Sequence, residues 1–386
     1  MRRLVKWTIG AHPGAAALGA RPLAVAVLSV ALVSGAAAGC KKRQKGPGFQ
    51  ADDLALGAAH ACALMKDGSV RCWGKNDAGQ LGDKARENRA RPVLLEAPSH
   101  ASELFAGGAA TCATLDDGAN VSCWGGADSL VAAANALHDV AQLAIAPTFA
   151  CARFKAGTVS CWGSSPAAAS AGDPASERAP APIPNLDAVH AIAVGEHHAC
   201  AVLKEDGSVR CWGKNESGQL GDGTTVDREV PTAVPNLRGV IQIAAGGAHT
   251  CVTLIDRTAS CWGENRFGQL GDGTRIDRHA PTPVSRLEAV RAVALGDGHS
   301  CARLYDGTLR CWGKNDAGQQ NDGTHTDREV PGMISGLFDV QQLALGNGTV
   351  CARLADGAVR CWGRNEYGQA GDGTREERPV PVTVRW

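Results

Sequence analysis

The chain has 386 residues, with 39 Lys plus Arg balanced by 39 Asp plus Glu, so it offers no basic field for gripping nucleic acid. Its 48 glycines fall short of every third residue, which excludes a collagen, and charged residues making up 20% of the chain argue against a multi-pass membrane protein. At about 150 residues per domain the length suggests two or three domains, while 15 cysteines and nine tryptophans against six Phe and two Tyr are the features to explain.

Residues 1–22 carry Arg2, Arg3, Lys6 and Arg21 and no acid. An apolar run follows from Leu23 to Ala38. It is shorter than the roughly 20 residues a spanning helix needs. A basic start, a short apolar stretch and a small-residue end make an export signal over residues 1–39. The end reads Ala37-Ala38-Gly39-Cys40 and resembles the lipobox of bacterial lipoproteins, with Ala37 where leucine is usual. The resemblance implies that Cys40 receives the lipid; a plain signal-peptidase site is the other reading. Residues 40–53 then form a basic, Gly/Pro-containing tether to the membrane.

From residue 54 to 386 one unit recurs seven times. Cys-Trp-Gly stands at Cys72, Cys123, Cys161, Cys211, Cys261, Cys311 and Cys361, with spacings of 51, 38, 50, 50, 50 and 50. A second cysteine lies 10 or 11 residues upstream of each. In the fifth unit, residues 240–245 alternate as a half-buried strand does. Residues 249–254 and 258–262 read as a hairpin around a turn that contains Asp-Gly in most units. Pro281–Val284 suits an outer edge strand, where proline removes no needed donor. Four short strands at a period near 50 make a propeller blade. The expectation is an all-β, seven-bladed β-propeller.

The second unit lacks the Gly-Gln-Leu-Gly loop, and the third replaces it with an Ala/Ser/Pro stretch, so both should be eroded on one face. The final Val380-Pro381-Val382-Thr383-Val384 is expected to complete the first blade and close the ring.

The repeats His-Ala-Cys-Ala-Leu, Asp-Gly-Ser-Val-Arg-Cys-Trp-Gly and Asn-x-x-Gly-Gln-Leu-Gly-Asp resemble those of the regulator of chromosome condensation family. The resemblance covers about residues 54–384 and implies a seven-bladed propeller that presents loops to partners. One branch of that family is a nucleotide-exchange factor for a nuclear GTPase, a role at odds with an export signal. Another resembles a secreted β-lactamase-inhibitory protein.

Each cysteine pair flanks a hairpin turn, which places its members opposite each other at about 4.5 Å between Cα atoms, within disulfide reach. The expected pairs are Cys62–Cys72, Cys112–Cys123, Cys151–Cys161, Cys200–Cys211, Cys251–Cys261, Cys301–Cys311 and Cys351–Cys361. Zinc wants four ligands together, which evenly spread pairs do not give, so no metal or cofactor is expected. His60, His198, His249 and His299, two residues before a cysteine, read as architecture. So do the turn-forming Asp222, Asp272, Asp322 and Asp372 and the recurring Arg228, Arg278 and Arg328.

Function is sought where the repeats differ. The variable positions of the Asn-x-x-Gly loop give Asp77, Glu216, Arg266, Phe267, Asp316, Glu366 and Tyr367 as candidate partner-binding residues, with Phe267 and Tyr367 as exposed aromatic anchors. The reading is a non-catalytic, monomeric, lipid-anchored envelope protein on the outer membrane or cell surface, or else secreted. It binds a protein or envelope ligand and no nucleic acid. A propeller hydrolase is the second reading, since Asp-Gly-x-x-x-Cys-Trp is faintly similar to the Asp-box of sialidases. Those enzymes need a tyrosine nucleophile; here only Tyr305, beside a hairpin turn, and Tyr367 exist, without an unrepeated acid cluster. A structural protein without a discrete ligand is the third.

Overall fold

The computed structural model describes residues 49–164 and 179–386. The expected signal at 1–39, the expected lipidation site Cys40, most of the expected tether 40–53 and part of the third unit's Ala/Ser/Pro stretch lie outside the described residues.

Seven antiparallel sheets follow one another along the chain. The first blade comprises Ala51–Leu56, His60–Met65, Val70–Gly74 and Arg89–Leu94, in that order. Its first strand thus opens at Ala51, three residues before the expected boundary at 54. The fifth blade comprises Val240–Ala245, His249–Leu254, Ala259–Gly263 and Arg278–Pro283, matching the strands read from sequence. The first strands of successive blades contact one another around a complete circle, so they ring the axis.

Two expectations are corrected. The C-terminal strand Arg378–Thr383 does not complete the first blade; it pairs with Val359–Gly363 of the seventh. The first blade has its own outer strand, Arg89–Leu94, with Pro92 where other blades carry Pro231, Pro281, Pro331 and Pro381. The ring closes by packing instead. Ala51, Leu54 and Trp73 of blade 1 share a core with Val359, Ala370 and Val384 of blade 7. Trp386 meets Trp73 edge to face at 5.7 Å. Across the same joint Ala51 N donates to Gly357 O at 2.9 Å, and the Gln342 amide donates to Leu54 O at 2.7 Å.

Blade 2 lacks the loop, as expected, and the second correction is to its expected four strands. It has three strands, Ala101–Gly107, Ala110–Leu115 and Asn120–Gly125, followed by a helix, Asp128–Asn135, in place of the loop and outer strand. Leu130 and Ala134 of that helix pack into the joint with blade 3. Blade 3 keeps only a two-residue outer strand, Ala181–Pro182.

Each joint has its own hydrophobic cluster, and each cluster includes the tryptophan of the following blade. Trp262 packs among Leu220, Val234 and Ile243, for example. Its indole N–H donates to Gln219 O of blade 4 at 2.9 Å. The same bond recurs from Trp73, Trp124, Trp312 and Trp362 to the matching Gln carbonyl. In blade 2 the helix substitutes for the loop, and Trp162 donates to Leu130 O at 2.9 Å. Truncating one such buried ring costs about 3–5 kcal/mol, so the tryptophans hold blade to blade.

The seven cysteine pairs are directly opposed in the hairpin register and form disulfides, with Cα–Cα distances of 4.0–4.1 Å. Tryptophans therefore join blades and disulfides staple within them.

Candidate binding site

Five blades, 1, 4, 5, 6 and 7, carry the Asn-x-x-Gly loop at the end of the third strand. The loop's shape comes from a buried asparagine. Asn265 is fully buried. Its Oδ1 accepts from Leu270 N at 3.0 Å, while its Nδ2 donates to Asp272 Oδ1, Thr274 O and Ile276 O at 3.0–3.1 Å. Its backbone N–H donates to Asp277 Oδ1 at 2.7 Å. Asn76, Asn215, Asn315 and Asn365 accept in the same way from the N–H five residues on. A buried amide with several partners is costly to strip of them. Asn265→Ala should destabilise the protein by roughly 3 kcal/mol, measured by chemical denaturation; a loss under 1 kcal/mol would show that the loop holds itself.

The recurring Asp and Arg complete the frame. Asp272 Oδ1 accepts from Thr274 N, an Asp-Gly-Thr turn, and Asp272 Oδ2 pairs with Arg278 at 2.7 Å. Arg228, Arg328 and Arg378 make the same pair with Asp222, Asp322 and Asp372. Burial opposes ionisation of Asp272, but the bonds from Thr274 and Arg278 outweigh it and hold the carboxyl below its usual range. These residues are scaffold, as their repetition implies. Two loops depart from the rule: Ala370 in blade 7 and Gln320 in blade 6 fill the buried position held by Leu81, Leu220 and Leu270, and Asn321 takes the left-handed φ of +48° that Gly271 takes at +71°. Asparagine tolerates that region better than most residues.

The architectural histidines belong to the joints. His60 Nε2 lies 2.7 Å from the Thr111 hydroxyl of the next blade, and that hydroxyl donates to Gln80 O at 3.0 Å. The hydroxyl proton is thus committed, so the imidazole Nε2–H donates. His198 and His249 repeat this with Thr250 and Ser300. Val350 stands in the equivalent place beyond His299 and offers no hydroxyl. A glycine three residues earlier makes room for each ring: a Cβ on Gly57 would fall 2.2 Å from the His60 imidazole. Burial lowers the histidine pKa values to about 4 for His60 and His299 and about 3 for His198 and His249.

The variable residues stand on this frame. Asp77, Glu216, Arg266, Asp316 and Glu366 are exposed, all beside buried asparagines on one face. Phe267 and Tyr367 are half-buried rather than fully exposed. Phe267 covers Gly298 of blade 6, with Lys314 5.3 Å from its ring and Arg266 at 4.7 Å on the other contact. Tyr367 of blade 7 has Lys75 of blade 1 at 5.2 Å. Asp316 pairs with Lys314 at 3.1 Å and with Arg364 of blade 7 at 2.9 Å. Lys75 in turn pairs with Asp77 at 3.0 Å. The structure therefore links the blade 5, 6, 7 and 1 residues into one arc of alternating charge with an aromatic ring at two joints. Glu216 is exposed on the blade 4 loop, apart from these contacts.

This loop frame and blade count can be set against known proteins. The family model for the RCC1-like domain matches residues 131–386, and that for the regulator of chromosome condensation (RCC1) repeat matches residues 52–80 and 67–114. The chain belongs to the RCC1-like family. It is 32% identical over 225 residues to the human E3 ubiquitin-protein ligase HERC2, covering 53% of this chain and 5% of that protein. It is 31% identical over 207 residues to the ultraviolet-B receptor UVR8 of Arabidopsis thaliana, covering 53% and 39%. The RCC1-like chain thus spans well under half of either relative. Among solved structures, yeast RCC1 (Prp20) bound to Kap60 matches with a TM-score of 0.56 at 21% identity, over 86% of this chain and 74% of that one. The ectodomain of the Arabidopsis thaliana receptor kinase ACR4 matches with a TM-score of 0.54 at 20% identity, over 86% and 99%. These likenesses establish the fold.

Proposed function

We propose that this RCC1-like propeller is an exported, non-catalytic binding protein, anchored through lipidated Cys40, that holds a protein or envelope ligand on its loop face. The observation that carries the reading is the division of labour within each loop. A buried asparagine fixes the backbone, and Arg266, Asp316 and Glu366, at a position whose residue varies between blades, project from it. Rigid frames with variable exposed side chains suit recognition, because little ordering entropy is lost on binding. The arc at blades 5, 6, 7 and 1 is the surface, with Phe267 and Tyr367 as its part-buried anchors. Yeast Prp20 is a protein-binding relative of this fold, as its complex with Kap60 records.

The test is photocrosslinking in the native host from a reactive residue at position 266 or 366, compared with position 206 on the opposite face. A partner captured from 266 and 366, not from 206, and lost in Arg364→Ala supports the reading. Equal capture from both faces would sink it. In the same cells Cys40→Ser should move the protein from the membrane to the soluble fraction; unchanged membrane association would refute the lipid anchor alone.

A further inference from the structure

The face opposite the loops, where the hairpin turns lie, carries an arginine cluster that the repeat does not dictate. One position of the second strand, paired with the third residue of the first strand, holds arginine in three blades: Arg153, Arg303 and Arg353. Two of these have acids beside them from a neighbouring blade. Glu103 acts on Arg153, and Asp53 and Asp52 act on Arg353. Arg303 has other arginines instead. Arg291 occupies the bulge between Val290 and Ala292, next to the residue paired with Arg303. Arg303 Nη1 donates to Val340 O of blade 7 at 3.3 Å, which turns the guanidinium toward the blade that bears Arg353. Burial, then Arg291 and Arg353, pull the Arg303 pKa down to about 10, so it stays charged at neutral pH.

The Tyr305 ring organises the rim. Arg257 stands 4.8 Å and Arg291 5.7 Å from its centroid. Guanidinium groups held at an aromatic ring are oriented before a ligand arrives. A recessed guanidinium among like charges is unfavourable by itself, and a phosphate oxyanion, singly charged in a diester and up to doubly charged in a monoester, both offsets it and accepts from its fork of N–H groups.

We propose that Arg291 and Arg303 form a binding site for a phosphate group, with Tyr305 holding Arg291 and Arg257 at its edge. The phosphate has two sources, a soluble phosphate ester or an anionic lipid headgroup. Ile255 and Phe338, 74% and 73% exposed on the same face, would let a bilayer approach.

The full chain carrying Cys40→Ser, which removes any lipid anchor, is titrated calorimetrically with inorganic phosphate and pyrophosphate at constant ionic strength. It is also floated with phosphatidylglycerol and phosphatidylcholine vesicles. Saturable binding that weakens about tenfold or more in both Arg303→Gln and Arg291→Gln, and is unchanged in Arg86→Gln on the loop face, is the expected result. Binding to free phosphate assigns the soluble source; binding confined to phosphatidylglycerol vesicles, with the same variant pattern, assigns the lipid. In phosphate-free buffer Arg303→Gln should melt at or above the parent temperature, since a repelled charge is removed. Should Arg303→Gln misfold, exposed Arg291→Gln alone decides. No saturable binding to either probe, or binding equal in parent and variants, overturns the proposal.

Discussion

The melting temperature of the folded chain should fall steeply as the pH is lowered from 6.5 to 4. His60, His198, His249 and His299 are buried neutral, with pKa values depressed from 6.5 to about 4, 3, 3 and 4 by loss of hydration. In the unfolded chain each takes up a proton near 6.5; in the ring it does not. Stability is therefore complete above 6.5 and is lost as pH falls toward the folded values, by up to about 1.4 kcal/mol per unit for each histidine. Four acting together approach roughly 5 kcal/mol per unit, a large share of a typical folding free energy of about 5–15 kcal/mol. The aspartates with shifted values are depressed from 3.8, so their contribution is lost only at lower pH. Glu264, raised by burial, has the opposite sign and offsets at most one group. His299 lacks the hydroxyl partner, and Thr349 fills its place in blade 7. His299→Thr should therefore keep the fold at pH 7 and flatten the slope by about one proton. A melting temperature constant from pH 7 to 4.5 would contradict this.

Full reduction should destroy the cooperative melt. Each disulfide closes a loop of 10 or 11 residues and contributes about 2–3 kcal/mol by loop entropy. The hairpin already restrains part of that loop, so this is an upper figure for each. Even half of it, seven times over, is comparable with the whole stability of a typical domain. The fourteen sulfurs are at most 7% exposed by residue, so a thiol reductant reaches them only when a blade opens. Reduction should be slow in native buffer, fast in denaturant, and followed by loss of the sharp thermal transition. A reduced chain that melts within a few degrees of the oxidised one would show the staples to be incidental.

Much of this was legible in the sequence because a repeat reports the same contact seven times. Cysteines 10 or 11 residues apart around a turn can only face each other across a hairpin, and Trp after the second cysteine marks the joint. Closure by packing and closure by strand exchange leave nearly the same trace at the ends of the repeat array. Pro92 in its matching position was the signal that blade 1 already owned its outer strand. The blade 2 helix replaced a loop whose absence was visible but whose substitute was not. Phe267 and Tyr367 read as exposed, since a free position in a loop does not reveal the glycine or lysine of the next blade beneath it. The buried asparagine was in view in every intact loop; what identifies it as the frame is the Asp seven residues on, which it bonds. The Arg303 cluster was only partly legible: arginine recurs at its position in three blades, but its other parts come from different strands of blades 5, 6 and 7 and meet only when neighbouring blades pack.

Each blade is stapled within itself by its own disulfide, so that the variable loop residues sit on a fixed frame. Peptide mass mapping of the full chain under non-reducing conditions tests it most directly. The expected result is seven linked peptide pairs, each joining one Cys-Trp-Gly cysteine to the cysteine 10 or 11 residues before it. A link between cysteines of different blades, or free thiols among these fourteen, would contradict it.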